Sequence, residues 1–108
     1  MSMDAVFRAL ADPSRRALLD ALHAQGGRTL GELCEGRGMT RQAVSKHLAV
    51  LEAANLVATE KRGREKLHYL NPVPIQEIAD RWIGKFERPR LAALADLKRR
   101  IEGDTPNG

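Results

Sequence analysis

The sequence predicts a mainly α fold with one small β-hairpin, in the order α-α-α-α-β-β-α. Three observations predict it. Apolar residues recur at helical spacing in the stretches before residue 55, several of which open on recognisable caps. Two short runs between 56 and 71 are joined by a glycine-bearing turn. A long helical phase follows Pro72 and Pro74. With 108 residues the chain has room for one domain, read as 1–102, with a disordered tail at 103–108.

The first helix, over 3–10, carries Met3, Val6, Phe7 and Leu10 on one side. Asp12 as N-cap and Pro13 at the first helical position start a second helix that runs to Ala24 and buries Ala17, Leu18, Ala21 and Leu22. Gln25, Gly26 and Gly27 stop it. Thr29 followed by Glu32 is a capping box for a short helix ending near Glu35. Gly36 and Gly38 make a turn before Thr40, whose hydroxyl suits an N-cap. In the helix that follows, Val44, Leu48 and Leu51 face inward, with Arg41, Gln42, Ser45, Lys46 and Ala49 opposite. The hairpin spans 56–62 and 66–71, with Leu67, Tyr69 and Asn71 on one side of its second strand and Lys66, His68 and Leu70 on the other. The last helix begins near 72–74, kinks at Pro89 and ends near Glu102.

A short helix, a glycine turn and a capped second helix form a helix-turn-helix at about 29–54, and the hairpin at about 56–71 stands where a wing would stand. The sequence therefore points to a winged helix-turn-helix that binds double-stranded DNA. Arg41 has the donors for guanine and Gln42 the donor–acceptor pair for adenine, while Ser45, Lys46 and His47 stand ready for base edges or phosphates. Thr40 caps the helix beside the backbone, and Arg62, Arg64 and Lys66 near the hairpin tip suit phosphates or a minor groove. Charge placement favours this reading over a merely solvated surface. Residues 37–66 hold seven basic and three acidic side chains, which is the whole net charge of +4.

Other classes fit poorly. Only four residues are Phe, Trp or Tyr, too few for a platform that stacks single-stranded bases. No nucleophile–base arrangement, carboxylate pair or phosphate-binding glycine loop stands out, so no enzyme and no cofactor are expected. One cysteine, Cys34, permits no internal disulfide and fits a reducing cytoplasm, with the thiol expected as a small buried apolar group. No signal peptide or membrane span is read in the chain. The last helix is long for so small a domain. Pairing the helices at 3–10 and 74–102 with their own copies would cover Met3, Val6, Phe7, Leu10, Trp82, Ile83, Phe86, Leu94 and Leu97, giving a homodimer. An interaction module that no longer reads DNA, and a regulator sensing through Cys34, stay open as alternatives.

In combination, these motifs resemble the ArsR family of bacterial winged-helix repressors over about residues 3–86. The resemblance rests on the run from Phe7 to Leu19 containing Ala11-Asp12-Pro13-Ser14-Arg15-Arg16, on 30–34, on Thr40 to Leu48 with Ser45-Lys46-His47, on 51–57, and on 62–66 with Tyr69. It implies a homodimer on a palindromic operator, with the fourth helix as reader, the hairpin as wing and the terminal helices as dimer surface. Many members of that family sense metals through paired cysteines or through histidines of the last helix. Here Cys34 stands alone, and 72–102 contains no histidine, so the chain resembles the branch without metal sites. A small-molecule effector stays open.

Overall fold

The computed structural model describes residues 3–103, and their side chains except those of 84–91 and 103. Four helices, α1 (Met3–Leu10), α2 (Pro13–Ala24), α3 (Leu30–Cys34) and α4 (Arg41–Ala53), precede an antiparallel pair, β1 (Val57–Arg62) and β2 (Glu65–Leu70). Then come α5 (Val73–Ala79), a π-helical segment (Asp80–Glu87) and α6 (Arg88–Gly103). The chain divides into two compact units, one ending at Ile75 and one beginning at Gln76. The side chain of Phe86, and the expected tail from residue 104 on, lie outside the described residues. Among the described residues, no helix is long and apolar enough to cross a membrane.

The core of the first unit is aliphatic. Leu18, Leu33, Val44, Leu51 and Leu56 are fully buried, with Val6, Ala9, Leu22 and Leu48 beside them. On α2 the buried stripe is Leu18, Leu19 and Leu22, while Ala17 is exposed and Ala21 half-buried. The helix is thus rotated from the expected face, and burying a leucine in place of an alanine removes more apolar area from water. Cys34, expected to be buried, is only half-buried.

Caps fix the helix starts. Asp12 Oδ1 accepts the backbone N–H groups of Ser14 at 2.7 Å and Arg15 at 3.2 Å. Thr29 Oγ1 accepts from the Glu32 N–H at 3.2 Å, and Glu32 Oε1 accepts from the Thr29 N–H at 2.9 Å, closing the capping box. At Asp12, desolvation pushes the carboxyl pKa up. Hydrogen bonds from Arg15 and Ser14, with His47 and Arg15 nearby, outweigh this and hold it below its ordinary value. The Thr29 backbone and hydroxyl hydrogen bonds lower Glu32 in the same way. Both groups bind a proton less readily folded than unfolded. Their contribution is therefore complete above the ordinary carboxylate range and is lost as pH falls through the lowered folded values. Thermal scans should show the melting temperature dropping on acidification, with a smaller drop in an Asp12→Asn/Glu32→Gln variant. An equal drop in parent and variant would remove the caps as its cause.

The turn between α3 and α4 carries positive φ at Gly36 (72°) and Gly38 (69°), the backbone region glycine enters without a Cβ clash. At the other end of α4, Asn55 takes φ 64°, and the Leu56 N–H reaches the Leu51 carbonyl at 2.9 Å, a Schellman-type stop.

The hairpin pairs Val57 with Leu70 through to Arg62 with Glu65, leaving Gly63 and Arg64 as a two-residue turn. The expected three-residue turn shortens because Glu65 pairs across from Arg62 and joins the strand. The expected alternation along β2 fails at His68, which is 3% exposed beside buried Leu67. A third segment explains it. Arg28 bridges to His68 on the other edge of β2, with the His68 N–H on the Arg28 carbonyl at 2.8 Å and the Gly27 N–H on the His68 carbonyl at 2.8 Å. Gly27 has φ 75°, and a Cβ there would stand 3.2 Å from Tyr69 Oη. The glycine pair read as a helix stop therefore also admits the Tyr69 ring.

Along the chain, α5, the π-helical segment and α6 follow one another without a gap, so the helical run continues through Pro89 as expected. A departure from α geometry occupies the eight residues before α6. Proline acts backwards along a helix, crowding the carbonyl four residues earlier, which here belongs to residue 85. Leu94 is 54%, Leu97 47% and Ile101 61% exposed, and their three- and four-residue spacing sets them on one side of α6.

Candidate nucleic-acid interface

The exposed side of α4 is built by its cap and its core stripe. Thr40, with φ −69° and ψ 155°, accepts the Ala43 N–H on Oγ1 at 3.0 Å, and so its side chain is engaged with the helix start. Val44, Leu48 and Leu51 hold the helix to the core. That fixes the opposite face, where Arg41, Gln42, Ser45, Lys46 and Ala49 are all exposed. No residue of α4's first turn is acidic.

His47 is placed differently. It is half-buried on the flank of α4, with Nδ1 3.3 Å from Arg15 Nη1 on α2. The start of α2 thus touches α4 through Arg15, a link that helical spacing alone did not reveal.

The wing brings Arg62, Arg64 and Lys66 to its tip and base, and each meets a different fate. Arg62 Nη2 lies 3.3 Å from Glu60 Oε1. Lys66 Nζ lies 3.3 Å from Glu52 Oε1, tying the base of the wing to the last turns of α4. Arg64 is exposed in the turn and makes no hydrogen bond or ion pair among the described residues. Between α4 and the wing lies an open cleft of about 450 Å³, lined among others by Gly31, Arg41, Ser45, Glu52, Arg64 and Lys66. Gly31 sits near Arg41, whose Nη1 would lie 3.9 Å from a Cβ at that position.

Two arrangements differ from the sequence expectation. His68 does not face outward from the wing, because its Nδ1 lies 2.9 Å from the Arg28 carbonyl and must donate to it. Val6, expected at a dimer surface, is 5% exposed in the core of the first unit, whereas Phe7 on the same helix is 45% exposed. Trp82 and Ile83 are 40% and 53% exposed, with the Arg81 guanidinium 5.9 Å from the Trp82 ring centroid.

What this surface offers is a row of donors and acceptors on a rigid helix beside a basic hairpin, the arrangement that docks into a major groove and its flanking phosphates. Comparison with known proteins agrees. Residues 10–60 match a helix-turn-helix domain family. The chain is 38% identical over 86 residues to the uncharacterized HTH-type transcriptional regulator YuzN of Bacillus subtilis, covering 74% of this chain and 94% of that one. It is 32% identical over 84 residues to the transcriptional repressor SdpR of the same organism, covering 78% and 91%. An ArsR-like transcriptional regulator from Rhodococcus sp. RHA1 superposes with a TM-score of 0.69 at 31% identity, covering 88% of this chain and 91% of that one. The chain therefore belongs to the ArsR family of winged helix-turn-helix proteins, and it is a DNA-binding transcriptional regulator rather than an enzyme.

Proposed function

We propose that the chain acts as a homodimeric repressor that sits on a palindromic operator, reads it with α4 and holds it with the wing. The exposed polar face of α4, from Arg41 to Lys46, carries this reading, because its opposite face is committed to the core and leaves it one orientation. Gln42 and Arg41 are the base readers, Ser45 and Lys46 hold base edges or phosphate, and Thr40 contributes its cap and its nearness to the backbone. Arg64 is the wing's phosphate ligand. Arg62 and Lys66 add to the field while anchored on Glu60 and Glu52.

Dimerisation is supported by Phe7, Trp82, Ile83, Leu94 and Leu97, large apolar residues left open to solvent on the terminal helices. A two-fold dimer presents two reader helices about one helical turn of DNA apart. Repression follows from occupying a promoter, and the relative SdpR is named a repressor. The donor set for a metal is poor. Cys34 is the chain's one thiol, and the described residues contain no group of three metal-binding side chains.

Selection of duplexes from a random pool, followed by footprinting, tests this. Two inverted half-sites spaced by about 10 base pairs or a multiple are expected. Enrichment of a single unrepeated site, or of none, counts against it. On the selected duplex, Arg64→Ala should weaken all sequences alike and reduce the slope of log affinity against log salt by about 1. Equal slopes for parent and variant would remove Arg64 from the phosphate contacts. Zinc or cadmium salts should leave operator affinity unchanged.

A further inference from the structure

We propose that Arg15 is a positioning residue for the DNA reader: it turns the Nδ1 lone pair of His47 to its own guanidinium and leaves the ring proton on Nε2, so that His47 offers DNA a hydrogen-bond donor. This rests on the reading of α4 as the element that meets DNA.

The Arg15 guanidinium is almost fully engaged. Nε donates to the Ala9 carbonyl at 2.8 Å and Nη2 to the Arg8 carbonyl at 3.0 Å, satisfying the end of α1. The Asp12 carboxylate lies 3.9 Å from Nη1, and the side chain is only 16% exposed. Nη1 also faces His47 Nδ1 at 3.3 Å. Arginine has donors and no acceptor, so Nδ1 must supply a lone pair. In a neutral imidazole that places the proton on Nε2.

Nε2 is free to use it. His47 makes no other hydrogen bond among the described residues, and none of their buried side-chain nitrogens or oxygens lacks a partner. Nε2 therefore reaches solvent, on a helix whose neighbouring Lys46 is exposed. An outward N–H selects acceptors: a phosphate oxygen, or purine N7, guanine O6 or thymine O4 in the major groove. A guanidinium fixed to the end of α1 thus sets which hydrogen-bonding group a residue of α4 presents.

Nitrogen-15 spectra of the histidine rings, recorded at about pH 8 where ordinary histidine is neutral, read the tautomer directly. The full chain should show His47 as the single Nε2–H form. Arg15→Lys keeps the charge but loses the fixed fork, and a mixture of tautomers is expected. A Nδ1–H form in the parent, or an unchanged spectrum in Arg15→Lys, overturns the proposal. On the selected duplex, His47→Phe should bind about tenfold more weakly, as for loss of one hydrogen bond, while His47→Gln, which keeps an amide donor, stays within about threefold of the parent. Both variants are expected to stay folded, which thermal scans check. A loss shared by all sequences places the acceptor on a phosphate, and a loss at one base pair places it on a base edge. Either supports the proposal. Parent-like binding by His47→Phe overturns the proposal alone, whereas a parent chain that selects no duplex overturns the reading of α4 and the proposal with it.

Discussion

Replacing Leu94 and Leu97 together by Asp is expected to leave a folded monomer whose operator affinity is about 100- to 10,000-fold below that of the parent. The size of the loss follows from valence. A dimer that has docked one reader helix delivers the second at high effective concentration, and a monomer must bind each half-site separately. Both leucines stand about half exposed on α6, in the unit from Gln76 onward, so charging them costs the single chain little internal packing. Buried between two copies, four carboxylates would repel one another and would have to shed their hydration. Sedimentation gives the mass, a mobility shift on the selected duplex gives the affinity, and a thermal scan shows that the fold is kept. A variant that still sediments as a dimer would move the interface away from α6. A parent chain that is itself monomeric would end the dimer reading altogether.

The fold was legible to the extent that it is built from local signals. The caps at Asp12, Thr29 and Thr40 stand where their side chains predict, because a capping hydrogen bond closes within three residues. The stripe Val44, Leu48 and Leu51 is buried as its spacing predicts. What the spacing missed elsewhere has one physical origin, which is contact between segments distant in sequence. His68 is buried because Arg28, forty residues earlier, pairs with its strand. His47 is half-buried on the flank of α4 because its Nδ1 meets Arg15, thirty-two residues earlier. Val6 looked like surface because a short helix shows an apolar side without showing what covers it, and in the folded unit the core does. Charge behaved in a similar way. The local excess of basic residues around the wing is real in the sequence, yet Glu60 and Glu52 hold two of them, while Lys61 and Arg64 make no ion pair among the described residues.

Leu51→Ala and Gln42→Ala should separate folding from reading on a single helix. Leu51 is fully buried, and its carbonyl accepts the Leu56 N–H that ends α4. Truncation removes the transfer energy of its side chain and leaves a cavity in an aliphatic core, and a cost of about 2–5 kcal/mol is expected. That is a large part of the stability of a domain this size, so denaturant midpoints should fall steeply and DNA binding should fall with the folded fraction. Gln42 is exposed in the first turn of α4 and holds nothing of the fold. Its truncation should leave the denaturant midpoint where it was. It should cost about 1–3 kcal/mol of discrimination at one base pair, if its amide meets adenine through both of its groups. Pairing chemical unfolding with competition between the selected duplex and single-base variants reads both quantities. If Gln42→Ala lowers stability, or Leu51→Ala changes base preference among molecules that remain folded, α4 does not divide into a core side and a reading side. The division is expected because Val44, Leu48 and Leu51 leave the helix no freedom to rotate: the same burial that stabilises the unit aims Arg41, Gln42 and Lys46 at solvent.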